Sequence, residues 1–298
     1  MKRLILLLVL AGAAAAFQTP TFTAEVKLVR LLVTVKDKAG GVVGGLNQSD
    51  FAVTDSGAQQ QIRFFERNTA QPLSIALLID ASGSAVKDFK VETDSVAKFV
   101  KALFGSGNPR DTASLYVFNY QVRQLVGFAR RANTIIGQLR MVKPEAGTSL
   151  YDAIYLTAPD LEVREGRHVM VIVSDGGNTT SIKDFKAALE AAQRADAVIY
   201  PIVIIPIKND AGRNLGGEHA LQSLAEDTGG RIFQPMLGQQ LDKAFDDILL
   251  ALRTQYLLGY YPANLPRGTP KFHLVHVDVA GTDLRATTRA GYYGEAVP

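Results

Sequence analysis

The chain has 298 residues, 47% of them hydrophobic, so it is long and apolar enough to bury a substantial core. The formal net charge is +3, from 32 basic and 29 acidic residues. Cleavage of an N-terminal leader that contains Lys2 and Arg3 would leave 30 basic residues against 29 acidic ones. This near-balance argues against nucleic-acid binding, and the absence of cysteine excludes disulfide bonds.

Residues 1–16 have the pattern of a secretory signal peptide. Lys2 and Arg3 form a positive start, Leu4–Leu10 form a short apolar segment, and Ala14–Ala16 offer a cleavage site of small residues. The apolar segment is too short to span a membrane. We therefore expect an exported protein, periplasmic or extracellular, with no membrane span in the mature chain.

Residues 17–70 are predicted to form a β region. Short alternating segments such as "VRLLVTV", "FAVTD" and "QIRFFER" are separated by glycine-bearing turns, a pattern typical of strands.

Residues 71–254 alternate between apolar strands and amphipathic helices. The segments "SIALLID", "RHVMVIVSDGG" and "AVIYPIVIIP" are typical of strands buried on both faces, and Pro201 predicts an irregularity in the third. In the first helix, Val96 and Phe99 belong to an apolar stripe, whereas Glu92 is predicted to lie off it. The alternation predicts an α/β fold, a doubly wound and mostly parallel sheet with helices on both faces.

Residues 255–298 return to a β pattern. Because neither β region alone would bury much core, we expect residues 17–70 and 255–298 to pack together as a small β-sandwich, with the α/β domain inserted between them. His273 and His276 are predicted to face opposite sides of a strand and to lie at the surface. The residues expected in the shared core are Phe51, Val53, Ile62, Phe64, Leu257, Phe272, Leu274 and Val277.

Oxygen-bearing side chains follow the predicted strands of the α/β region in three loops. Asp80, Ser82 and Ser84 come after the first strand, Thr148 precedes a helix, and Asp175 ends a later strand. A doubly wound sheet binds ligands at the carboxyl ends of its strands, so these loops are expected at one edge. Carboxylate and hydroxyl oxygens, without histidine or cysteine, suit Mg²⁺, Mn²⁺ or Ca²⁺ rather than zinc.

Structural roles are the alternative for each of these residues. Ser82 and Ser84 can cap the helix that follows, and Asp175–Gly177 can form a plain turn. We assign Ser149 and Asp152 to capping of the helix after Thr148. The three loops taken together favour a metal site over caps and turns alone.

The order Asp-x-Ser-x-Ser, Gly-Thr-Ser-Leu and Ser-Asp-Gly resembles the von Willebrand factor A domain, in which these motifs form a metal-ion-dependent adhesion site. The segments "SLYDAIYLTA", "LAEDTGGRIF" and "AFDDILLALRTQYLLGYYP" are similar to exported bacterial proteins related to that domain, and the likeness spans residues 22–294. The resemblance implies a Mg²⁺ ion, or Mn²⁺ or Ca²⁺. It would be held by Asp80, Ser82, Ser84, Thr148 and Asp175.

The resemblance also implies that an Asp or Glu carboxylate of a protein partner completes the metal's coordination. We therefore predict an exported, metal-dependent protein-binding module of the adhesion type that is not an enzyme. No histidine lies in the three loops, and Ser82 stands where an aspartyl phosphoryl-transfer enzyme would have a second carboxylate. The alternatives are a structural envelope protein braced by a metal and, more remotely, a metal-dependent hydrolase.

Overall fold

The computed structural model describes residues 28–67, 71–84, 88–105, 107–204 and 214–297. The predicted signal peptide lies outside the described residues. In the described part of the chain, no helix combines the length and the apolar character needed to cross a bilayer.

The α/β domain is built on a five-stranded sheet. Its strands in chain order are β5 (Leu73–Asp80), β6 (Thr112–Phe118), β7 (Val122–Ala129), β8 (Arg167–Ser174) and β9 (Ala197–Val203). Their spatial order is β7-β6-β5-β8-β9, and all neighbours are parallel except the β6–β7 hairpin at one edge. Every residue of β5 and β8 is buried, as expected for strands covered on both faces.

In the described part of the chain, six helices cover this sheet, three on each face. On one face lie α1 (Phe89–Gly105), α2 (Ala132–Leu139) and α6 (Gln239–Thr254). On the other lie α3 (Leu150–Glu162), α4 (Phe185–Arg194) and α5 (Leu215–Thr228). Alternate residues of β5 point to opposite faces of the sheet. Leu77 packs with α1, α2 and α6, and Leu78 packs with α3, α4 and α5. The predicted α/β fold class is confirmed.

Strands from the two ends of the chain form a β-sandwich. Its strands are β1 (Val29–Lys36), β2 (Phe51–Asp55), β3 (Ala58–Gln60), β4 (Phe64–Glu66), β10 (Tyr256–Tyr260), β11 (Phe272–Val279), β12 (Arg285–Thr287) and β13 (Gly291–Tyr293). They make two antiparallel sheets, β12-β1-β10-β4 and β13-β11-β2-β3. Each sheet combines strands from both ends, so neither end alone holds a complete sheet.

The sandwich core contains four of the eight predicted residues, Phe51, Val53, Ile62 and Val277. The prediction is wrong for Phe64 and Leu274, which are 44% and 63% exposed. Side chains alternate along a strand, and β11 turns Val275 and Val277 inward, so Leu274 must face outward. Leu257 and Phe272 lie outside this core cluster.

Asp55 is fully buried inside the sandwich and is well supplied with hydrogen-bond donors. Its carboxylate accepts hydrogen bonds from the hydroxyls of Tyr260 (2.8 Å) and Tyr292 (2.7 Å) on one oxygen and of Ser56 (3.1 Å) on the other. The two bonds from the tyrosines join strands from opposite ends of the chain.

The prediction that His273 lies at the surface is wrong. His273 is 2% exposed, and its Nδ1 lies 3.4 Å from Asp55 and 3.1 Å from the Tyr292 hydroxyl. Its Nε2 donates to the carbonyl of Glu295 at 2.9 Å. His276 is exposed, as predicted, on the opposite face of β11.

Pro201 causes no break in β9, contrary to the sequence-based expectation. β9 pairs regularly with β8 through Ile172 opposite Pro201, and it is an edge strand of the sheet. An edge strand needs hydrogen-bond donors on one side only, so the missing N–H of proline is tolerated there.

The sandwich attaches near the amino ends of the parallel strands. Arg167, the first residue of β8, donates to the carbonyl of Leu252 and to the side chain of Gln255, which connects α6 to β10. The Gln255 amide in turn donates to Thr34 of β1 (3.0 Å) and to Tyr200 of β9 (3.3 Å). The carboxyl edge of the sheet therefore lies away from this junction.

Candidate metal centre

Asp80 ends β5 at the carboxyl edge of the sheet and is 2% exposed. Its carboxylate accepts a hydrogen bond from the backbone N–H of Ser82 (2.9 Å) on one oxygen and from the Ser174 hydroxyl (2.6 Å) on the other. Ser174 is the last residue of β8, so two neighbouring parallel strands hold this carboxylate in place.

Ser82 and Ser84 lie in the loop that follows β5, with their hydroxyl oxygens 2.9 Å apart. The loop is tied to its neighbours because Ala81 donates its N–H to the carbonyl of Phe118 and accepts from the N–H of Glu145. Helix α1 begins only at Phe89, five residues beyond Ser84. This distance argues against either serine capping α1.

Thr148 is positioned by the loop between β8 and α4. Its N–H donates to the Thr179 hydroxyl (3.0 Å), and its carbonyl accepts from the N–H groups of Thr179 (2.8 Å) and Thr180 (3.1 Å). Gly147, just before it, has φ +84°, and a Cβ there would lie 2.8 Å from the Cβ of Tyr120. The approach of this loop to Tyr120 therefore requires glycine.

Asp175 directly follows β8, and its Oδ1 accepts the N–H of Gly177 at 2.9 Å. A Cβ built on Gly177 would lie 3.1 Å from Asp175 Oδ1 and 3.5 Å from Thr148 Oγ1. The carboxylate of Asp175 and the hydroxyl of Thr148 thus lie beside the same small space.

A small pocket joins these groups at the sheet edge. Its lining residues are Asp80, Ser84, Asp88, Glu92, Ser174, Asp175 and Ile204. Of the five predicted ligands, Asp80, Ser84 and Asp175 line the pocket directly. Ser82 is joined to it by its contact with Ser84, and Thr148 by its proximity to Asp175.

The von Willebrand factor type A domain, as a family model, matches residues 74–247 of the chain. The chain belongs to this family. Its matched region contains β5 without its first residue, β6 to β9, all six helices except the end of α6, and every predicted ligand.

Two solved structures illustrate the likeness of this von Willebrand factor A domain. The conserved hypothetical protein BatB from Bacteroides thetaiotaomicron is 16% identical, with a TM-score of 0.50. The match covers 61% of this chain and 100% of the BatB chain. The vWF domain of the type V pili tip protein Mfa5 from Porphyromonas gingivalis is 14% identical, covers 62% and 96%, and also has a TM-score of 0.50. These identities show a shared fold alone. A search of curated proteins finds no match.

The pocket of this domain concentrates negative charge. Its lining holds four carboxylates, Asp80, Asp88, Glu92 and Asp175, and no lysine or arginine among the described residues. Burial raises the pKa of Asp80 to about 6, with the nearby Asp175 adding to the shift and hydrogen bonds from Ser174 and Ser82 opposing it. Burial also raises the pKa of Glu92 to about 8, and the charges of Asp80, Asp88 and Asp175 add to that shift.

Glu92 was predicted to lie outside the apolar stripe of its helix, and that prediction is wrong. It is 3% exposed, in the first turn of α1, on the same face as the buried Val96, Phe99 and Leu103. The signal was in the spacing, because residue 92 precedes those three by four, seven and eleven positions, which places all of them on one face of a helix. A glutamate in an apolar stripe is a candidate functional residue.

Ser149 and Asp152 do not have the capping role assigned to them. Ser149 occupies the N-cap position of α3 without a side-chain cap bond, and its hydroxyl instead contacts that of Thr180 at 2.8 Å. The Asp152 carboxylate accepts the N–H groups of Ile182 (2.9 Å) and Lys183 (2.7 Å). Both residues brace the segment before α4, and that segment supports Thr148.

The donor chemistry of this edge fits a hard divalent cation. Among the described residues, no three carboxylate or histidine side chains converge closely enough to bind a metal by themselves. A metal bound here would therefore draw on neutral oxygens as well, and the hydroxyls of Ser82, Ser84 and Thr148 are those predicted to supply them beside Asp80 and Asp175. Such an all-oxygen set of mixed charge suits Mg²⁺ or Mn²⁺, and also Ca²⁺.

Proposed function

We propose that this protein is an exported, metal-dependent protein-binding module of the adhesion type. In this proposal Asp80, Ser82, Ser84, Thr148 and Asp175 hold one divalent cation, and a partner's Asp or Glu carboxylate completes its coordination. The observation that carries the proposal is the pocket itself, which is lined by four carboxylates and the Ser84 hydroxyl, with no basic side chain among the described lining residues.

The charge balance of the five ligands supports recognition of an anion. Three of the five are neutral hydroxyls, so they add no negative charge of their own. A bound cation would supply an electrophilic centre that prefers an anionic additional ligand. The chain's part is to hold the oxygens in place, as the hydrogen bonds from Ser82 and Ser174 to Asp80 do.

The position of the site also suits binding of a macromolecular partner. It lies at the carboxyl edge of the sheet, whereas the β-sandwich joins the domain near the amino ends of the strands through Arg167 and Gln255. Ser84, at the mouth of the pocket, is exposed. The sandwich therefore leaves the proposed binding face open.

Binding of the cation is tested by calorimetry on the chain without residues 1–16. We expect one Mg²⁺ or Mn²⁺ per chain, and we expect Ser82→Ala to weaken binding. Ser223→Ala is the matched control, because Ser223 is exposed on α5 and does not line the pocket. Absence of Mg²⁺, Mn²⁺ and Ca²⁺ binding by the unmodified chain would refute the metal site.

Recognition of a partner is tested by capture from envelope extract. The immobilised chain is expected to retain a partner in Mg²⁺ and to release it in EDTA, and esterification of the partner's carboxylates should abolish the interaction. A partner retained equally in EDTA, with metal bound in the calorimeter, would instead indicate a structural protein whose cation only braces its loops.

A further inference from the structure

Glu92 is a buried carboxylate on the wall of the candidate metal pocket. It belongs to the first turn of α1 and is 3% exposed, and it lines the pocket together with Asp80 and Asp175. It comes from a helix, whereas Asp80 ends a strand and the other four predicted ligands come from loops.

No described residue donates a hydrogen bond to the Glu92 carboxylate, and the charges that act on it, Asp80, Asp88 and Asp175, are all negative. Glu218 shows what a satisfied buried glutamate looks like in the same domain. It is 5% exposed, and its carboxylate accepts a hydrogen bond from the Gln234 amide at 2.8 Å. An unpartnered buried carboxylate is costly when it is ionised, so a cation in the pocket would stabilise the charged form of Glu92.

Direct coordination by Glu92 is not what the geometry favours. Three carboxylates of the described residues do not converge closely enough to bind one ion. Mg²⁺ usually keeps several of its water molecules when it binds to a protein, and each such water has hydrogen atoms that need acceptors. A carboxylate on the pocket wall, just beyond the direct ligands, is such an acceptor.

We propose that Glu92 is the outer-sphere carboxylate of this cation site and accepts hydrogen bonds from water molecules bound to the cation. This inference rests on the proposed metal binding. Glu92 adds a third negative charge beside Asp80 and Asp175, so it raises the affinity for a divalent cation without occupying the position left for the partner's carboxylate.

The test is the substitution Glu92→Gln, which keeps the shape and removes the charge. We expect the dissociation constants for Mg²⁺ and Mn²⁺ in calorimetry to rise about 10- to 100-fold, as for other outer-sphere partners of metal sites. In EDTA, thermal unfolding should occur at the same or a higher temperature, because burial and the neighbouring carboxylates already disfavour the charged form of Glu92. The increase in unfolding temperature on adding Mg²⁺ should shrink.

Asp94→Asn is the matched control, since Asp94 is exposed on the same helix and the charge change is identical. It should bind Mg²⁺ as the unmodified chain does. Glu92→Asp, which retains the charge, should bind more tightly than Glu92→Gln. If Glu92→Gln does not fold, Glu92→Met, of similar volume and also uncharged, takes its place with the same expected loss.

The outcomes separate the two proposals. If the unmodified chain binds Mg²⁺ and Glu92→Gln binds it equally well, the role of Glu92 is refuted while the metal site stands. The same holds if Glu92→Asp binds no better than Glu92→Gln. If the unmodified chain binds no divalent cation, the metal site itself is refuted, and the inference about Glu92 falls with it.

Discussion

The two domains each bury an aspartate, and they surround it in different ways. Asp55, in the sandwich, receives hydrogen bonds from three hydroxyls and lies against His273. Asp80, in the α/β domain, receives two hydrogen bonds and shares its pocket with three further carboxylates. A buried carboxylate whose neighbours are donors has its hydrogen-bonding needs met within the protein, whereas one among other carboxylates is in an environment that the proposed cation would stabilise.

The domains also differ in how their contacts are distributed along the chain. The α/β domain is one continuous stretch, and its parallel strands are joined by helices as in other doubly wound folds. In the sandwich, Asp55 bonds to tyrosines that are 205 and 237 positions away. The sandwich therefore needs strands from both ends of the chain, whereas no residue that lines the candidate metal pocket comes from either end.

Deletion of residues 256–298 is expected to have the largest effect, because it should unfold the sandwich and leave the α/β domain folded. It removes β10 to β13, which are two strands of each sandwich sheet and both neighbours of β1. Hydrogen exchange should show complete loss of protection in β1 and β2, while β5 and β8 remain protected. Calorimetry should still detect Mg²⁺ binding. Native protection of residues 51–65 in the truncated chain would show that the N-terminal strands fold by themselves.

Asp55→Asn should destabilise the sandwich by about 3 kcal/mol, because it removes the charge that two tyrosine hydroxyls and His273 face in a fully buried site. Hydrogen exchange of β2 and β11 under native conditions measures this loss locally. Mg²⁺ affinity should not change. A weakened Mg²⁺ affinity in this variant would mean that the two domains are coupled.

Asp80→Asn should have the opposite effects to Asp55→Asn: it should weaken Mg²⁺ binding and should not lower stability. The affinity for Mg²⁺ is expected to fall by about 100-fold or more, roughly 2.7 kcal/mol, since a charged ligand is lost. Stability in EDTA should be unchanged or higher, because burial already disfavours the charged form of Asp80. Calorimetry and thermal unfolding measure the two effects. Unchanged Mg²⁺ binding would contradict the role of Asp80 as a ligand.

Local patterns in the sequence predict the α/β fold well, because a parallel strand buried on both faces needs a continuous apolar run. They also predict that Asp80, Thr148 and Asp175 meet at one edge, because strand ends and their loops determine that edge. They fail for His273, whose burial depends on Asp55 and Tyr292, neither of them near it in the sequence. Glu92 was missed for another reason, since its polar character outweighed its helical spacing.

The orientation of β11 is the least predictable feature of the sandwich. In its sequence "FHLVHVDV", apolar residues stand at both the even-numbered and the odd-numbered positions. The pattern alone therefore does not decide which face of the strand is inward. The structure turns Val275 and Val277 into the core and leaves Leu274 63% exposed. Pairing with β2 decides the phase, because Val277 lies opposite Val53, which is also in the core.

A pair of alanine substitutions tests this orientation, with the smallest expected effects. Leu274→Ala should change the stability of the sandwich by less than about 0.5 kcal/mol, as an exposed position does. Val277→Ala removes two buried methyl groups and should cost about 1–2 kcal/mol, although valine is the smaller residue. Hydrogen exchange of β2 and β11 measures both. A larger loss for Leu274→Ala would mean that β11 pairs with β2 one residue out of this register, which would turn every side chain of β11 to the other face.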